Sequence, residues 1–255
     1  MRVDVSAFVG SYPWRRVPGT SPEALLGAMD RTGVDTAWVT HLPGLFWRDP
    51  TEGNPWLLDV TRGAPRLLPV PTVHPALAHW AEVLDLALAI GAPAVRADPM
   101  RFGLDPAGAG MQALAGACGD AGVALLLGVQ LEDGRQRHPL DRAEDLPAAA
   151  VRALVRVHPK LRLVVTHADR SYVEEVHFGS TPEEAARIWW DICRIWGPPE
   201  DHLETLLSTI GPQRFVFGTG QPLRLPESAV AKLDLLDLEP ADRTALESGN
   251  AALVC

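Results

Sequence analysis

The stretch Leu163-Val164-Val165-Thr166-His167-Ala168 places a histidine directly after four apolar or β-branched residues. A short run that is apolar throughout is typical of a strand buried on both faces of a parallel sheet. In the segment before it, Ala150, Val151 and Leu154 fall on one stripe of a helix, and such a stripe packs against a sheet. Strand and helix together predict a βα unit with a polar side chain at the end of its strand.

The same alternation of short β-rich runs and amphipathic segments extends over the whole chain and predicts eight strands. The runs are Arg2–Val5, Asp35–Thr40, Leu67–Val73, Ala94–Asp98, Val123–Val129, Leu161–Thr166, Ile188–Ile192 and Phe215–Gly218. After the first run, Ser21 and Pro22 provide the N-cap and first turn of a helix that ends near Gly33. Eight such units in one chain favour a (β/α)8 TIM barrel, with residues 1–255 as a single domain.

Composition excludes several classes of function. The chain has 255 residues with a formal charge of -9, which repels phosphate backbones and argues against nucleic-acid binding. No apolar run has the length of a membrane span and no signal peptide is evident, so we expect a cytoplasmic protein without a membrane partner. The three cysteines have neither the spacing of a zinc site nor that of a disulfide framework.

Candidate functional residues follow from the fold, because the site of such a barrel forms at the carboxyl ends of its strands. Polar residues stand at these ends in unusual number: Asp4, Ser6, His41, His74, Arg96, Asp98, Gln130, Glu132, Asp133, His167, Asp169, Arg170, Asp191, Thr219 and Gln221. A single histidine at a strand end most often bonds a neighbouring loop. Several ionisable groups converging on one face need mutual pairing, which indicates a site.

Four blocks of the sequence resemble the amidohydrolase superfamily, in the amidohydrolase-related branch that includes aminocarboxymuconate semialdehyde decarboxylase. They are Val-Asp-Val-Ser-Ala-Phe-Val-Gly at 3–10, the strand ending in histidine at 163–168, Arg-Phe-Val-Phe-Gly-Thr-Gly-Gln-Pro at 214–222, and Ser-Gly-Asn-Ala-Ala at 248–252. The blocks occur in the order of the family and span nearly the whole chain. The resemblance implies an amidohydrolase-like barrel with hydrolase, lactonase or decarboxylase activity.

The resemblance also implies a divalent metal held by two histidines on strand one, a residue on strand five and an aspartate on strand eight. This chain departs from that pattern, since phenylalanine and glycine have no ligand atom and a neutral serine is a weak one. We therefore expect no metal cofactor. The histidine of strand six, His167, is kept. The residues at the other positions are Ser6, Phe8, Gly128 or Gln130, and Gly220.

One functional interpretation is an enzyme of this descent that acts on a small anionic or lactone-like substrate without the usual metal. His167 would be its general acid or base, because the ordinary pKa of histidine lies near neutrality. Asp133 and Asp191 would complete the catalytic group. Guanidinium groups would bind a substrate carboxylate through paired donors. The substrate-binding residues expected are Arg96, Arg135, Arg170, Gln130, His41 and His74.

Two alternatives stay open. Loss of the ligands fits a catalytically inactive relative that binds a ligand or a protein partner. A relocated metal site could instead combine His41, His74 and His167 with Asp98 or Asp191, although their spacing is not diagnostic.

Two segments with aromatic residues, Phe46–Pro50 and Ile188–Trp190, leave a further question open. They fit a roof over the barrel mouth, a homodimer contact or a place in the core.

Overall fold

A computed structural model describes residues 1–255 and contains eight parallel strands. The strands are β1 Val3–Val9, β2 Thr36–His41, β3 Leu67–Pro69, β4 Ala94–Ala97, β5 Ala124–Gly128, β6 Leu163–Thr166, β7 Ile188–Asp191 and β8 Phe215–Val216. The helices are α1 Pro22–Thr32, α2 Asn54–Arg62, α3 Trp80–Ala89, α4 Ala109–Ala121, α5 Ala148–Val155, α6 Arg170–Phe178, α7 Pro182–Ala185, α8 His202–Ile210, α9 Pro226–Leu235, α10 Pro240–Thr244 and α11 Asn250–Val254. Short 3-10 helices at Pro43–Phe46, Pro50–Gly53 and Pro212–Arg214 and a π-helical turn at Ala245–Gly249 complete the chain.

The strands form one barrel from two hydrogen-bonded sheets, β1-β2-β3 and β4-β5-β6-β7-β8. Between β3 and β4, the Val73 N–H donates to the Arg96 carbonyl at 2.8 Å. Between β8 and β1, the Val5 N–H donates to the Phe217 carbonyl at 3.0 Å. These bonds close the circle, so the predicted (β/α)8 architecture is confirmed.

Asp4 fastens the first strand to the loop after the last one. Its buried carboxylate accepts hydrogen bonds from the N–H groups of Ser6 and Thr219, each at 3.0 Å, and from the side chains of Thr219 and Gln221. Burial raises the pKa of Asp4. This residue was expected at a strand end, but β1 runs on to Val9 through a bulge after Asp4. Its role is therefore to join β1 to the loop after β8.

The core has two parts, one inside the barrel and one between the strands and the helices. Inside, residues such as Trp38, Leu126 and Trp189 pack together, and α11 covers the lower end with Ala251 and Val254. Because side chains alternate along a strand, the inward positions one layer higher follow from this set. They are Thr40, Thr72, Arg96, Gly128, Thr166, Asp191 and Gly218.

The end points of one helix and two strands can be compared with those predicted from the sequence. Helix α1 begins after Ser21, whose hydroxyl accepts the Ala24 N–H, and ends at Gly33 in the left-handed region, as predicted. Strands β3 and β8 are shorter than predicted, because beyond Pro69 and Val216 the chain keeps only isolated backbone bonds to its neighbours.

The aromatic segment 188–190 is strand β7, and both of its tryptophans are buried. Of the three alternatives for this segment, the structure shows a place in the core. Phe46 packs edge-on against Tyr12, with ring centroids 5.5 Å apart, whereas Trp47 is largely exposed. None of the helices combines the length and apolar character that crossing a membrane requires.

Candidate functional site

Polar residues at the barrel mouth form two groups on opposite sides. We call His41, His74, Arg96 and Asp98 the β2–β4 rim, since they lie at or after the ends of those strands. The second group, the β6–β8 rim, lies at or after the ends of the last three strands. Its members are His167, Asp191, Cys193, Arg194 and Arg224.

An ion pair dominates the β2–β4 rim. Arg96 donates from Nε to Asp98 Oδ2 at 2.6 Å and from Nη2 to Asp98 Oδ1 at 3.0 Å, and both residues are buried. The guanidinium also lies over the Phe8 ring, 4.9 Å from its centroid. Gly128 makes room for the pair, since a Cβ there would lie 2.6 Å from Arg96 Nη2. Arg96 thus has its carboxylate partner within the protein.

The two histidines of this rim are held by local packing. The His41 ring lies 5.1 Å from the ring of Trp47 and 4.9 Å from that of Trp56, and burial lowers its pKa to about 4. His74 stacks on Phe102 at 4.8 Å and accepts the Ala76 N–H at 3.3 Å. Burial lowers the pKa of His74 as well. Both side chains are uncharged at neutral pH and are enclosed by their own loops.

On the β6–β8 rim, His167 has an unusual backbone and no partners for its ring. Its φ is 62°, which makes it the only non-glycine residue of the chain with a positive φ. The side chain is fully buried, and neither Nδ1 nor Nε2 has a hydrogen-bond partner. Its backbone N–H donates to Asp191 Oδ1 at 2.9 Å. Such backbone strain persists where the surroundings enforce it, most often at functional sites.

Asp191 and Cys193 complete a compact cluster with His167. The candidate ligand atoms of the three buried side chains lie within 4.8 Å of one another, and Asp191 Oδ2 has no hydrogen-bond partner. Burial raises the pKa of Asp191 and of Cys193. Burial, reinforced by the positive charges of Arg96 and Arg224, lowers the pKa of His167 well below its ordinary value. His167 is therefore a neutral imidazole at physiological pH.

The other expected site residues lie outside this cluster. Asp133 is bound by Arg135 at 2.9 Å and reaches Arg194 at 3.5 Å, so it touches the rim only through Arg194. The pairing with Arg135 lowers the pKa of Asp133. The Arg135 side chain is 81 % exposed.

Arg170 and Gln130 also bond elsewhere. Arg170 forms ion pairs with Glu174 at 2.8 Å and Asp201 at 3.4 Å. Gln130 accepts from Arg137 at 3.5 Å. The structure thus brings together His167 and Asp191 from the expected set. Arg135 and Arg170 lie apart from them, and Arg96 acts on His167 through its charge while it is paired with Asp98.

Sequence reasoning missed Cys193, Arg194 and Arg224. Each lies beyond a strand end: Cys193 and Arg194 follow Asp191 within three positions, and Arg224 follows Gly220 by four. Adjacency to those strand ends was the available signal.

The residues at the expected metal positions do not fit a metal. Ser6 Oγ accepts the Gly220 N–H at 3.2 Å, and Phe8 presents its ring to Arg96. A side chain at Gly220 would enter occupied space, since its Cβ would lie 3.1 Å from His167 Nε2. The cluster of His167, Asp191 and Cys193 is the only group with three ligand atoms in reach, and it includes neither His41 nor His74.

Several positively charged groups lie near that cluster. His167 experiences the positive charges of Arg96, Arg194 and Arg224, and Lys232 acts on both Asp191 and Cys193. Positive potential of this kind attracts anions and repels cations.

Comparison with known proteins places the chain in a family. None of the curated proteins matches its sequence significantly. Among solved structures, 2,6-dihydroxybenzoate decarboxylase from Rhizobium is similar with a TM-score of 0.77 at 15% identity, covering 99% of this chain and 98% of that one. The 5-carboxyvanillate decarboxylase from Sphingomonas paucimobilis gives 0.75 at 14% identity, with 99% and 98% covered.

An uncharacterized TIM-barrel protein from Bordetella bronchiseptica gives a TM-score of 0.72 at 14% identity, with 99% of this chain and 97% of that one covered. At such identities the likeness concerns the fold. The family model described as amidohydrolase matches residues 81–254, which is more than half of the chain. The chain belongs to the amidohydrolase family.

Proposed function

We propose that the chain is an enzyme that hydrolyses a small anionic ester or lactone, with His167 as general base and without the metal of its relatives. The observation that carries the proposal is the buried imidazole of His167, whose two nitrogens have no partner within the protein. A buried polar atom of this kind needs a hydrogen-bond partner. Substrate or a reacting water can provide one.

The lowered pKa keeps His167 deprotonated, which is the form that accepts a proton. A neutral imidazole accepts a proton from water as the water oxygen attacks the substrate carbonyl carbon. The tetrahedral intermediate then expels the alkoxide, which takes the proton from the imidazolium, leaving an alcohol and a carboxylic acid. The positive charge of Arg224, which has no carboxylate partner, stabilises the negative charge that develops on the carbonyl oxygen.

Asp191 acts through His167 in this scheme. Its Oδ1 holds the backbone N–H of His167 at 2.9 Å and so fixes the left-handed conformation that aims the ring inward. Asp191 is therefore a positioning residue.

Decarboxylation is the second candidate, favoured by the decarboxylases among the similar structures. It requires an acid that protonates the carbon from which carbon dioxide departs. A histidine with a strongly lowered pKa is mostly unprotonated and serves poorly as that acid. Hydrolysis is the better match to this site.

The test is turnover of lactones, esters and aromatic carboxylic acids by the wild type and by His167→Asn. Asparagine tolerates a positive φ, so this variant keeps the backbone. We expect its hydrolytic rate to fall by roughly 10²- to 10⁴-fold. His177→Gln, on helix α6, is the matched control and keeps the full rate.

Three other results of these assays would contradict the proposed hydrolysis. Unchanged turnover in His167→Asn overturns the proposal. Release of carbon dioxide without hydrolysis selects the second candidate. Binding of compounds without turnover of any of them selects the inactive relative.

A further inference from the structure

A pocket of about 530 Å³ opens beside the β6–β8 rim. Its walls come from residues 193–200, which follow β7, and from five residues between 224 and 235, four of which lie on α9. The volume lies within the range of small-molecule sites. Cys193 lines the pocket and also belongs to the cluster with His167. The pocket therefore adjoins the proposed reaction centre directly.

The pocket carries an excess of positive charge. Arg194, Arg224 and Lys232 line it, and Glu200 is its one acidic residue. Arg224 forms no ion pair, and its buried Nε has no hydrogen-bond partner. Arg194 reaches a single carboxylate, that of Asp133, at 3.5 Å, and its Nη1 has no partner.

These cations act on one another as well. Burial and the charge of Arg224 both lower the pKa of Arg194. Lys232 is fixed by two donated hydrogen bonds, to the carbonyls of Ile192 at 2.8 Å and Cys193 at 2.9 Å. Like charges held together at low dielectric raise the free energy of the protein, and an anion between them lowers it.

The path from this pocket to His167 is short. The point where a Cβ of Gly220 would stand lies 3.1 Å from His167 Nε2 and 3.2 Å from Arg224 Cδ. The Cδ of Arg224 and the imidazole of His167 thus flank the same point. Glycine at this position lets the two side chains approach each other, since a Cβ would crowd both.

We infer that this pocket is an anion subsite, in which Arg194 and Arg224 bind a carboxylate or phosphate group of the substrate next to the bond that reacts. The inference rests on the proposed function and specifies its substrate class: a small molecule with an anionic group close to the reacting carbonyl. Guanidinium groups suit both anions, because they offer paired donors to two oxygens.

The test measures binding separately from turnover. Calorimetric titrations use benzoate and inorganic phosphate as probes, with neutral benzamide as the uncharged comparison. We expect the wild type to bind at least one of the two anions, and Arg194→Gln and Arg224→Gln to bind it roughly tenfold to a hundredfold more weakly. Arg62→Gln, at an exposed ion pair on α2, is the matched control with unchanged affinity.

The preferred anion identifies the substrate group, because tighter benzoate binding indicates a carboxylate and tighter phosphate binding indicates a phosphate. Affinities that stay the same in both glutamine variants, or a wild type that binds neither anion, overturn the inference. If Arg224→Gln fails to fold, Arg224→Lys keeps the charge without the paired donors, and unchanged affinity there together with unchanged affinity in Arg194→Gln also overturns it.

His167→Asn separates the two proposals. We expect it to bind the anion as the wild type does while losing turnover. Full turnover in that variant, combined with weakened anion binding in the arginine variants, refutes the proposed base and keeps the subsite.

Discussion

The two rims of the barrel mouth carry similar residues in opposite states. On the β2–β4 rim, the buried Arg96 has Asp98 as a bidentate partner. His41 is enclosed by tryptophan rings and loop glycines, and its Nδ1 is the one buried polar side-chain atom of this rim without a hydrogen-bond partner. On the β6–β8 rim, the His167 ring, Asp191 Oδ2 and Arg224 Nε lack partners. Burial of a paired charge serves the fold, whereas several unpartnered polar atoms close together can accept a ligand.

The largest effect on stability is expected from the paired rim. Asp98→Asn removes the charge that compensates Arg96 and leaves a buried guanidinium, which costs about 3–5 kcal/mol of unfolding free energy. Chemical denaturation with urea measures the loss. Asp59→Asn, which breaks an exposed ion pair with Arg62, serves as the control and changes stability by less than about 1 kcal/mol. A small loss in Asp98→Asn would mean that the pair is not needed for folding.

A second effect on the same rim comes from Gly128→Ala. The added Cβ would lie 2.5 Å from Asp98 Oδ1 and 2.6 Å from Arg96 Nη2, so the pair must move within a packed interior. We expect a loss of about 1–3 kcal/mol, measured in the same denaturation experiment. Gly63→Ala meets no atom within 4 Å and should cost nothing comparable. Equal stability of the two variants would show that the ion pair is adaptable.

Acidification should destabilise the protein through histidines of both rims. Burial lowers the pKa of His41 to about 4 and that of His167 well below its ordinary value, while the unfolded chain binds protons near pH 6.5. Their contribution to stability is complete above pH 6.5 and falls as the pH decreases toward the folded pKa, by about 1.4 kcal/mol per pH unit for each histidine.

Melting temperatures from pH 7.5 to 5.0 follow this loss. His41→Gln and His167→Asn should each flatten the dependence between pH 6.5 and 5.5. A pH profile that is the same in both variants as in the wild type would contradict the assignment.

Replacing an aspartate by asparagine on the β6–β8 rim should have little effect on stability. Asp191→Asn keeps the Oδ1 that accepts the His167 N–H, and it removes a carboxylate whose pKa burial raises. We expect a change within about 1 kcal/mol near neutral pH. The folded state holds the Asp191 proton more strongly than the unfolded state, so the wild type loses stability as the pH rises through that raised pKa.

Asp191→Asn has no carboxylate at this position and therefore lacks the loss of stability with rising pH. Denaturation at pH 4.5 and 7.5 therefore tests both the size and the sign. A loss as large as that of Asp98→Asn would abolish the distinction between the rims.

The smallest effect is expected from removal of metal. Dialysis against a chelator should leave turnover unchanged, and mass spectrometry should find metal far below one ion per chain, because Ser6, Phe8 and Gly220 offer no suitable ligand set. Near-stoichiometric metal that disappears in Cys193→Ala would instead assign a metal site to the cluster of His167, Asp191 and Cys193.

Much of the fold could be predicted from periodicity alone. Buried parallel strands and amphipathic helices differ in period, so eight units and most of their positions follow from the sequence. The end of β1 did not follow, because a bulge after Asp4 carries the strand through polar residues that usually mark its end.

The candidate site could be predicted only in part, because a sequence shows which residues are polar and not which of them have partners. His167 and His74 both follow a strand, yet one has a free ring and the other a stacked and bonded one. Arg135 lies in the same loop as Asp133, two positions later, and forms an ion pair with it. Such short-range pairing depends on loop conformation, and so does the position of Arg224 at the β6–β8 rim. Loop conformation leaves no periodic signal in the sequence.

The bonds of Asp4 have a consequence for the order in which the barrel assembles. The partner at Thr219 lies 215 residues along the chain. At translation rates of about 5–20 residues per second, this partner is synthesised roughly 10–40 s after Asp4. The edge of β1 that pairs with β8 therefore stays unpaired until the end of the chain has been synthesised. Barrel closure is thus a late event. Joining the chain so that β8 precedes β1 would turn this slow, long-range step into a local one.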